Sequence, residues 1–135
     1  YGPQNWWPAE TPFEVCLGAV LTQNTAWDNA HRAVKNLIEA GIDRPEKLLN
    51  LKEEELQALI KPAGFYKQKA KYLKELSRFL VESGGLEKLK ELPLERVRSE
   101  LLKVKGVGPE TADAILLYAL QKATFVADKY AKRLF

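Results

Sequence analysis

The chain has 135 residues, of which 46% are hydrophobic, a fraction that excludes intrinsic disorder and supplies the core of one domain over residues 1–135. Its net charge of +3, from 21 Lys and Arg against 18 Asp and Glu, permits nucleic acid as a partner without arguing for it. The apolar stretches are too short for a membrane span. The single cysteine, Cys16, excludes an internal disulfide and a four-cysteine metal or cluster site. We therefore expect a cytoplasmic protein with no metal and no cofactor.

Hydrophobic periodicity and helix-boundary residues predict an all-α fold. A capping box at residues 11–14 opens a helix with Pro12 at its first position and one apolar side, formed by Phe13, Leu17, Val20 and Leu21. A second box-like start at residues 25–28 opens a helix that Gly41 ends. The predicted helices cover residues 12 to about 23, 26 to about 40, 45–49, 52–60, 66–82, 87–92, 93 to about 103 and 109 to about 119. Asp128 stands at the N-cap position of a last predicted helix, which the sequence does not finish.

The segment LLKVKGVGPETA, residues 101–112, is the most informative part of the sequence. Gly106 and Gly108 allow the backbone to turn sharply and to approach a ligand closely. Pro109 then opens a helix, and the unpaired amides of a helix N-terminus suit a phosphate group. An ordinary tight turn between two helices needs the same glycines. Lys103 and Lys105 beside the turn favour the phosphate interpretation.

Three motifs together resemble the helix-hairpin-helix–Gly/Pro–Asp, or endonuclease III, superfamily of DNA glycosylases. Residues 101–112 followed by VAD at residues 126–128 resemble its hairpin and catalytic aspartate. LTQNT at residues 21–25 resembles the loop that fills the gap left by an extruded base, and IKPAGFYKQKA at residues 60–70 resembles a third family segment. The resemblance implies an endonuclease III-like helical core with one six-helix-type lobe and the first part of a second lobe. Because the chain stops at Phe135, we expect it to be truncated at its C-terminus.

The same resemblance implies a base-excision enzyme that acts on double-stranded DNA containing a damaged base. We expect it to work as a monomer associated with the nucleoid of a bacterial or archaeal cell.

Asp128 is the predicted catalytic residue. By position alone it is an N-cap aspartate, but the family motif in front of it makes it the carboxylate that stabilises positive charge on the sugar and helps a water molecule attack C1′. Family members that also cut the abasic strand carry a lysine two positions after the second hairpin glycine. Here that position is Glu110, which cannot form a Schiff base. The sequence therefore predicts a monofunctional glycosylase.

A pair of tryptophans near the start of the chain predicts a base pocket. Trp6 and Trp7 could pack in the core and at a helix start, or they could form a stacking slot for a flipped base. With Pro8 and the LTQNT segment, they resemble the bacterial 3-methyladenine branch of the superfamily, in which two aromatic side chains sandwich the base. Trp6 and Trp27 match those two positions, so we expect 3-methyladenine or another alkylated purine as the substrate.

Contacts to the DNA backbone and to the duplex gap are predicted from the remaining motif residues. Gln23 is the candidate wedge and Asn24 the candidate contact to the opposite strand, although both also suit a helix C-cap or turn. Lys67 and Lys69 follow the Gly64 turn and could line the backbone path, although a run of charges is commonly a solvated face. The predicted DNA-binding residues are Gln23, Asn24, Lys67, Lys69, Lys105, Gly106, Val107, Gly108 and Thr111.

Two alternatives stay open at this point. One is an endonuclease III-like glycosylase with abasic-site lyase activity, or a uracil or mismatch glycosylase on the same fold. The other is a non-catalytic helix-hairpin-helix module that only binds DNA. Glu110 argues against the lyase, and Asp128 together with the paired tryptophans argues against a pure binding module.

Overall fold

A computed structural model describes residues 11–120, which contain helices and turns and no strand. The helices are α1 Pro12–Leu21, α2 Trp27–Glu39, α3 Pro45–Leu49, α4 Glu53–Ile60, α5 Tyr66–Glu82, α6 Leu86–Lys90, α7 Leu94–Leu102 and α8 Pro109–Ala114. A 3-10 turn, Lys61–Ala63, follows α4, and a π-helical turn, Ile115–Ala119, continues α8. The predicted all-α fold is therefore confirmed. None of the helices between residues 11 and 120 is long and apolar enough to cross a membrane.

Helix α1 lies at the centre of the domain. The Thr11 hydroxyl accepts a hydrogen bond from the Glu14 backbone N–H at 3.2 Å, which is one half of the predicted capping box. Eight of the ten α1 residues are buried, from Phe13 onward with the exception of Glu14, so burial includes the predicted apolar side and extends beyond it. Helices α2, α5 and α8 and the π-helical turn Ile115–Ala119 all pack against α1.

The single cysteine lies inside α1. Cys16 is fully buried, and burial raises the pKa of its thiol to about 12. The thiol is therefore protonated near neutral pH and fills space in the core.

The helix boundaries follow the glycine and proline signals closely. Gly41 takes a φ of +85°, and the Ile42 backbone N–H donates to the Leu37 carbonyl at 3.0 Å, which forms a Schellman-type end to α2. The start of α2 differs from the prediction, since Ala26 is the N-cap and no side chain caps it. The predicted eleven-residue helix after Pro109 is also divided, because its second half is a π-helical turn.

An ion pair joins the two helices that flank the hairpin. Arg98 Nε of α7 lies 3.0 Å from Asp113 Oδ1 of α8, and the Asp113 side chain is 8% exposed. A buried carboxylate needs such a partner, because its charge is costly to remove from water. The pair holds α7 and α8 together on either side of the turn that connects them.

Lys69 of α5 points into the domain, which corrects its predicted place on a DNA-facing surface. The residue is 2% exposed, and its Nζ donates to the carbonyls of Leu21 and Ala63, both at 3.0 Å. Leu21 is the last residue of α1, where unpaired carbonyls carry partial negative charge that attracts a cation. Burial lowers the pKa of the Lys69 ammonium from 10.5 to about 8. The ammonium joins two chain segments and is not presented to solvent.

The buried lysine makes stability depend on pH above neutrality. Between pH 8 and 10.5 the folded chain binds fewer protons at Lys69 than the unfolded chain, so its unfolding free energy rises with pH. We expect the stability of the wild type relative to Lys69→Met to rise by up to about 3 kcal/mol between pH 7 and pH 10.5. Urea unfolding of both proteins at several pH values measures this difference.

Lys67→Met is the matched control, because it removes an exposed lysine two positions away. Its stability difference from the wild type should stay nearly constant over the same pH range. A constant difference for Lys69→Met as well would contradict the assigned burial of the ammonium.

Candidate nucleic-acid interface

The hairpin between α7 and α8, residues 103–108, is built around Gly106. This glycine has a φ of +90°, which L side chains rarely adopt. A Cβ atom at Gly106 would lie 2.2 Å from Cγ of Tyr72, so the tyrosine ring of α5 occupies the space of a side chain. The turn is closed by the Val107 backbone N–H, which donates to the Val104 carbonyl at 3.1 Å. Glycine at position 106 is therefore required by the fold itself.

Gly108 differs from Gly106 in its backbone angles and in the space around it. Its φ of −94° and ψ of −177° are extended values open to any residue. No atom of the protein lies within 4 Å of a Cβ built at Gly108, and the residue is exposed. The fold does not require glycine here, so the open space can admit an external group close to the backbone.

Loop 22–26, between α1 and α2, is attached to the hairpin through Gln23. The Gln23 Nε2 donates to the Gly106 carbonyl at 2.8 Å and to the Thr111 hydroxyl at 3.0 Å. Asn24, the next residue, is exposed and takes a φ of +53°, which a short amide side chain tolerates. Gln23 is thus directed at the hairpin, whereas the sequence predicted that it enters the duplex. Asn24 forms the outer tip of the loop.

Two other predicted DNA contacts lie inside the domain. Thr111 is 7% exposed and accepts the bond from Gln23, so its hydroxyl does not face a phosphate in this conformation. The Val107 side chain is 6% exposed because it packs in the core, which leaves only its backbone for an outside ligand. Lys67 and Lys105 are exposed, so both remain accessible to an outside ligand.

Phe65 is a prominent surface residue that the sequence reasoning did not select. It is 62% exposed and has a φ of +47°, an uncommon and strained conformation for a bulky residue. Its position as the N-cap of α5 was a usable signal, because helix N-caps favour small polar residues. Phe65 lies near loop 22–26. The Lys69 Nζ lies 5.9 Å from the centroid of the Phe65 ring, and it also binds the carbonyls of Ala63 and of Leu21, the residue directly before the loop.

Trp27 opens α2 directly after loop 22–26. Its ring stacks on His31 with centroids 5.1 Å apart and an interplanar angle of 5°, and the tryptophan remains 43% exposed. His31 is half-buried and stacks against one face of the indole. The four-residue spacing on one helix face was the signal for this pair.

The remaining predicted site residues lie outside residues 11–120. They are Trp6, Trp7, Pro8 and Asp128. Glu110, at the position where lyase members of the family carry lysine, is exposed in the first turn of α8. The described part of the interface therefore consists of the hairpin, loop 22–26, the turn at Phe65 and the start of α2.

Comparison with known proteins gives several strong matches. Residues 17–135 match the HhH-GPD superfamily of base excision DNA repair proteins. A provisionally named DNA repair glycosylase of Methanocaldococcus jannaschii is 51% identical over 138 residues, which is 100% of this chain and 63% of that protein. Endonuclease III of Thermotoga maritima is 37% identical, over 91% of this chain and 54% of its own length.

Solved structures of glycosylases share the fold. The H. pylori 3-methyladenine DNA glycosylase (MagIII) bound to 1,N6-ethenoadenine has a TM-score of 0.76 and 39% identity, covering 86% of this chain and 56% of that one. A non-covalent endonuclease III–DNA complex has a TM-score of 0.69 and 28% identity, covering 82% of this chain and 49% of that one.

The chain spans about half to two thirds of the length of these proteins. The family match covers most of the chain and includes the hairpin, so the predicted relationship is confirmed. The chain belongs to the HhH-GPD superfamily of base excision DNA repair proteins.

Proposed function

We propose that the protein is a monofunctional DNA glycosylase that releases an alkylated purine, with 3-methyladenine as the leading candidate, from double-stranded DNA. The observation that carries the proposal is that Lys69 and Gln23 join three exposed segments into one surface. These segments are the hairpin, loop 22–26 and the turn at Phe65. A surface of this kind suits a duplex in which one base has left the stack.

The hairpin binds the DNA backbone in this proposal. The open space at Gly108 admits a phosphate oxygen close to the main chain, and the exposed Lys105 adds positive charge beside it. Lys67 lies on α5, two positions beyond Phe65, and contributes a second cation. Such contacts hold the duplex without reading its sequence.

Asn24 and Phe65 fill the gap in the duplex. Asn24 is the exposed tip of its loop, and an amide can hydrogen-bond an unpaired base on the opposite strand. Phe65 presents an apolar ring, and apolar side chains commonly enter between base pairs as wedges. This assignment replaces Gln23 with Asn24 as the polar residue of the gap, because the Gln23 amide nitrogen is bound to the hairpin.

The base slot has Trp27 as one wall and Trp6, Trp7 and Pro8 as the other. His31 holds the Trp27 ring in a fixed orientation, which lowers the entropy cost of stacking a base on it. An adenine alkylated at N3 carries positive charge and stacks favourably on electron-rich indole rings. The similarity to a 3-methyladenine glycosylase bound to a modified adenine supports this substrate class.

Asp128 supplies the chemistry. A cationic purine leaves with the electron pair of the glycosidic bond and becomes neutral, so it needs little acid catalysis. The carboxylate stabilises the positive charge on the sugar and takes a proton from the water molecule that adds to C1′. Glu110 offers no amine for attack on C1′, so the product is an intact strand with an abasic site.

The choice of base is tested by product identification. The whole protein is incubated with alkylated duplex DNA and with duplexes containing uracil or thymine glycol, and the released bases are separated and identified. We expect release of an alkylated purine and no protein–DNA adduct after borohydride treatment. Release of oxidised pyrimidine alone, or a trapped adduct, would instead support an endonuclease III-like glycosylase with lyase activity.

The catalytic role of Asp128 is tested by Asp128→Asn, which keeps the shape of the side chain and removes its charge. We expect base release to fall at least about a hundredfold, while affinity for a duplex with a stable abasic analogue is retained. Glu100→Gln, which neutralises an exposed carboxylate on α7, should leave the rate within about twofold. Wild-type rates for Asp128→Asn would rule out the assignment.

The two hairpin glycines provide a matched pair of substitutions. Gly108→Ala should leave the unfolding free energy within about 1 kcal/mol of the wild type, because its backbone angles and surroundings accept a methyl group. Its affinity for an undamaged duplex should fall about tenfold, since the methyl group occupies the space of a phosphate oxygen. Gly106→Ala should instead lose about 2 kcal/mol or more of stability, through its φ of +90° and the clash with Tyr72. Urea unfolding and fluorescence anisotropy measure the two effects, and unchanged DNA binding by Gly108→Ala would refute the phosphate site.

A further inference from the structure

His31 lies behind the indole ring that forms one wall of the proposed base slot. Its imidazole covers one face of Trp27, the inner face, and the opposite face is the outer face. We propose that His31 is a specificity-determining residue: because the ring on the inner face is uncharged, the outer face prefers a cationic purine over a neutral purine of similar shape. This role rests on the proposed place of Trp27 in the base slot. It makes the charge behind the wall, and not the wall alone, decide which base is held.

The two rings form a parallel stack that leaves one indole face exposed. Their centroids are 5.1 Å apart and their planes differ by 5°. Trp27 is still 43% exposed, a large fraction for a tryptophan that has one face covered. The exposed area therefore belongs to the outer face and the ring edge, and a single base can stack there.

Helix α2 holds the imidazole in its place. His31 is half-buried and its Nδ1 atom is buried, whereas Trp27 is exposed at the start of the same helix. Residues four positions apart lie on one face of a helix, so the backbone itself brings the two rings together. The imidazole therefore stays against the inner face whether or not a base occupies the outer face.

The preference follows from the electrostatics of the indole ring. The faces of an indole carry negative potential, which attracts a cation placed over them. An uncharged imidazole leaves this attraction intact for a cationic purine on the outer face. A cation on the inner face would repel that purine across one ring, where no water screens the two charges. A neutral purine stacks through its apolar surface and responds much less to such a charge.

The charged neighbours of His31 on α2 do not share its position. Asp28 and Lys35 lie three positions before and four positions after it, and both are exposed to solvent. They carry opposite charges, and water and salt screen them. Neither is stacked on Trp27, so residue 31 is the position on α2 from which a charge acts most directly on the outer face.

The proposal is tested with two substitutions that both keep a flat group against Trp27. His31→Phe retains an uncharged ring, and His31→Arg places a planar cation there, since a guanidinium group stacks on aromatic faces. The probes are 3,9-dimethyladenine, a cation in which a methyl group replaces the sugar, and 9-methyladenine, its neutral parent. Each is titrated into the whole protein at about pH 8, above the range in which histidine commonly binds a proton. The shift of the Trp27 indole N–H resonance in NMR spectra gives the dissociation constants.

We expect the wild type and His31→Phe to share a preference for the cation, expressed as the ratio of the two dissociation constants. In His31→Arg this ratio should fall about tenfold, because a like charge opposes the attraction between the cation and the indole. Affinity for 9-methyladenine should change less than about threefold, because stacking itself is retained. The size of the extra methyl group cancels when the ratio is compared between variants.

Two further variants serve as controls. Ala40→Arg adds the same charge at the exposed C-cap of α2, at the far end of a 13-residue helix from Trp27, and should keep the wild-type ratio. His31→Lys carries the charge on a flexible chain and should lower the ratio in the same direction as His31→Arg. The test therefore does not depend on one substitution being tolerated, and urea unfolding compares the stability of all the variants.

The outcomes separate the role of His31 from the proposed function. If neither base shifts the Trp27 resonance of the wild type, Trp27 is not a wall of the slot and both proposals fail together. If the bases bind, an unchanged ratio in both His31→Arg and His31→Lys overturns the role of His31. Equal losses of affinity for the two bases would show that His31 only supports the ring. Either of these last two results leaves the proposed glycosylase intact.

Discussion

An ammonium group inside a helical domain needs acceptors, because an unpaired charge in the interior costs several kcal/mol. Lys69 finds them in the carbonyls of Leu21 and Ala63, which end α1 and the 3-10 turn. The segments that follow these two carbonyls carry the exposed tips Asn24 and Phe65. One buried cation thus fixes the starting points of two surface segments, and the relative position of their tips depends on it.

Helix α5 extends the same support to the hairpin. Lys69 and Tyr72 are three residues apart on α5 and share one face of the helix. The tyrosine fills the space at Gly106, and the lysine binds the ends of the other two segments. The Gln23 side chain then joins loop 22–26 to the hairpin through its hydrogen bond to the Gly106 carbonyl. A single long helix, which the sequence predicts correctly from residue 66 to residue 82, therefore supports all three segments of the candidate interface.

The sequence was informative about helix boundaries and about the family, but not about which polar side chains face inward. Proline and glycine act on the chain locally. Pro45 and Pro109 begin helices because proline has a fixed φ angle, and Gly41 ends one because glycine readily adopts a left-handed conformation. Their effects can therefore be predicted from neighbouring residues. Lys69 is different, because its acceptor at Leu21 is 48 residues away and no local pattern reveals it. Gln23 and Thr111 were assigned to DNA for the same reason: their partner is each other, across 88 residues of sequence.

The arrangement also bears on how a weakly basic chain could distinguish damaged from intact DNA. Backbone contacts of the kind proposed for Gly108 and Lys105 would have similar energies on every duplex, so they cannot select a site alone. Selection requires a contact that forms fully only when a base has left the stack, because only differential binding favours that state.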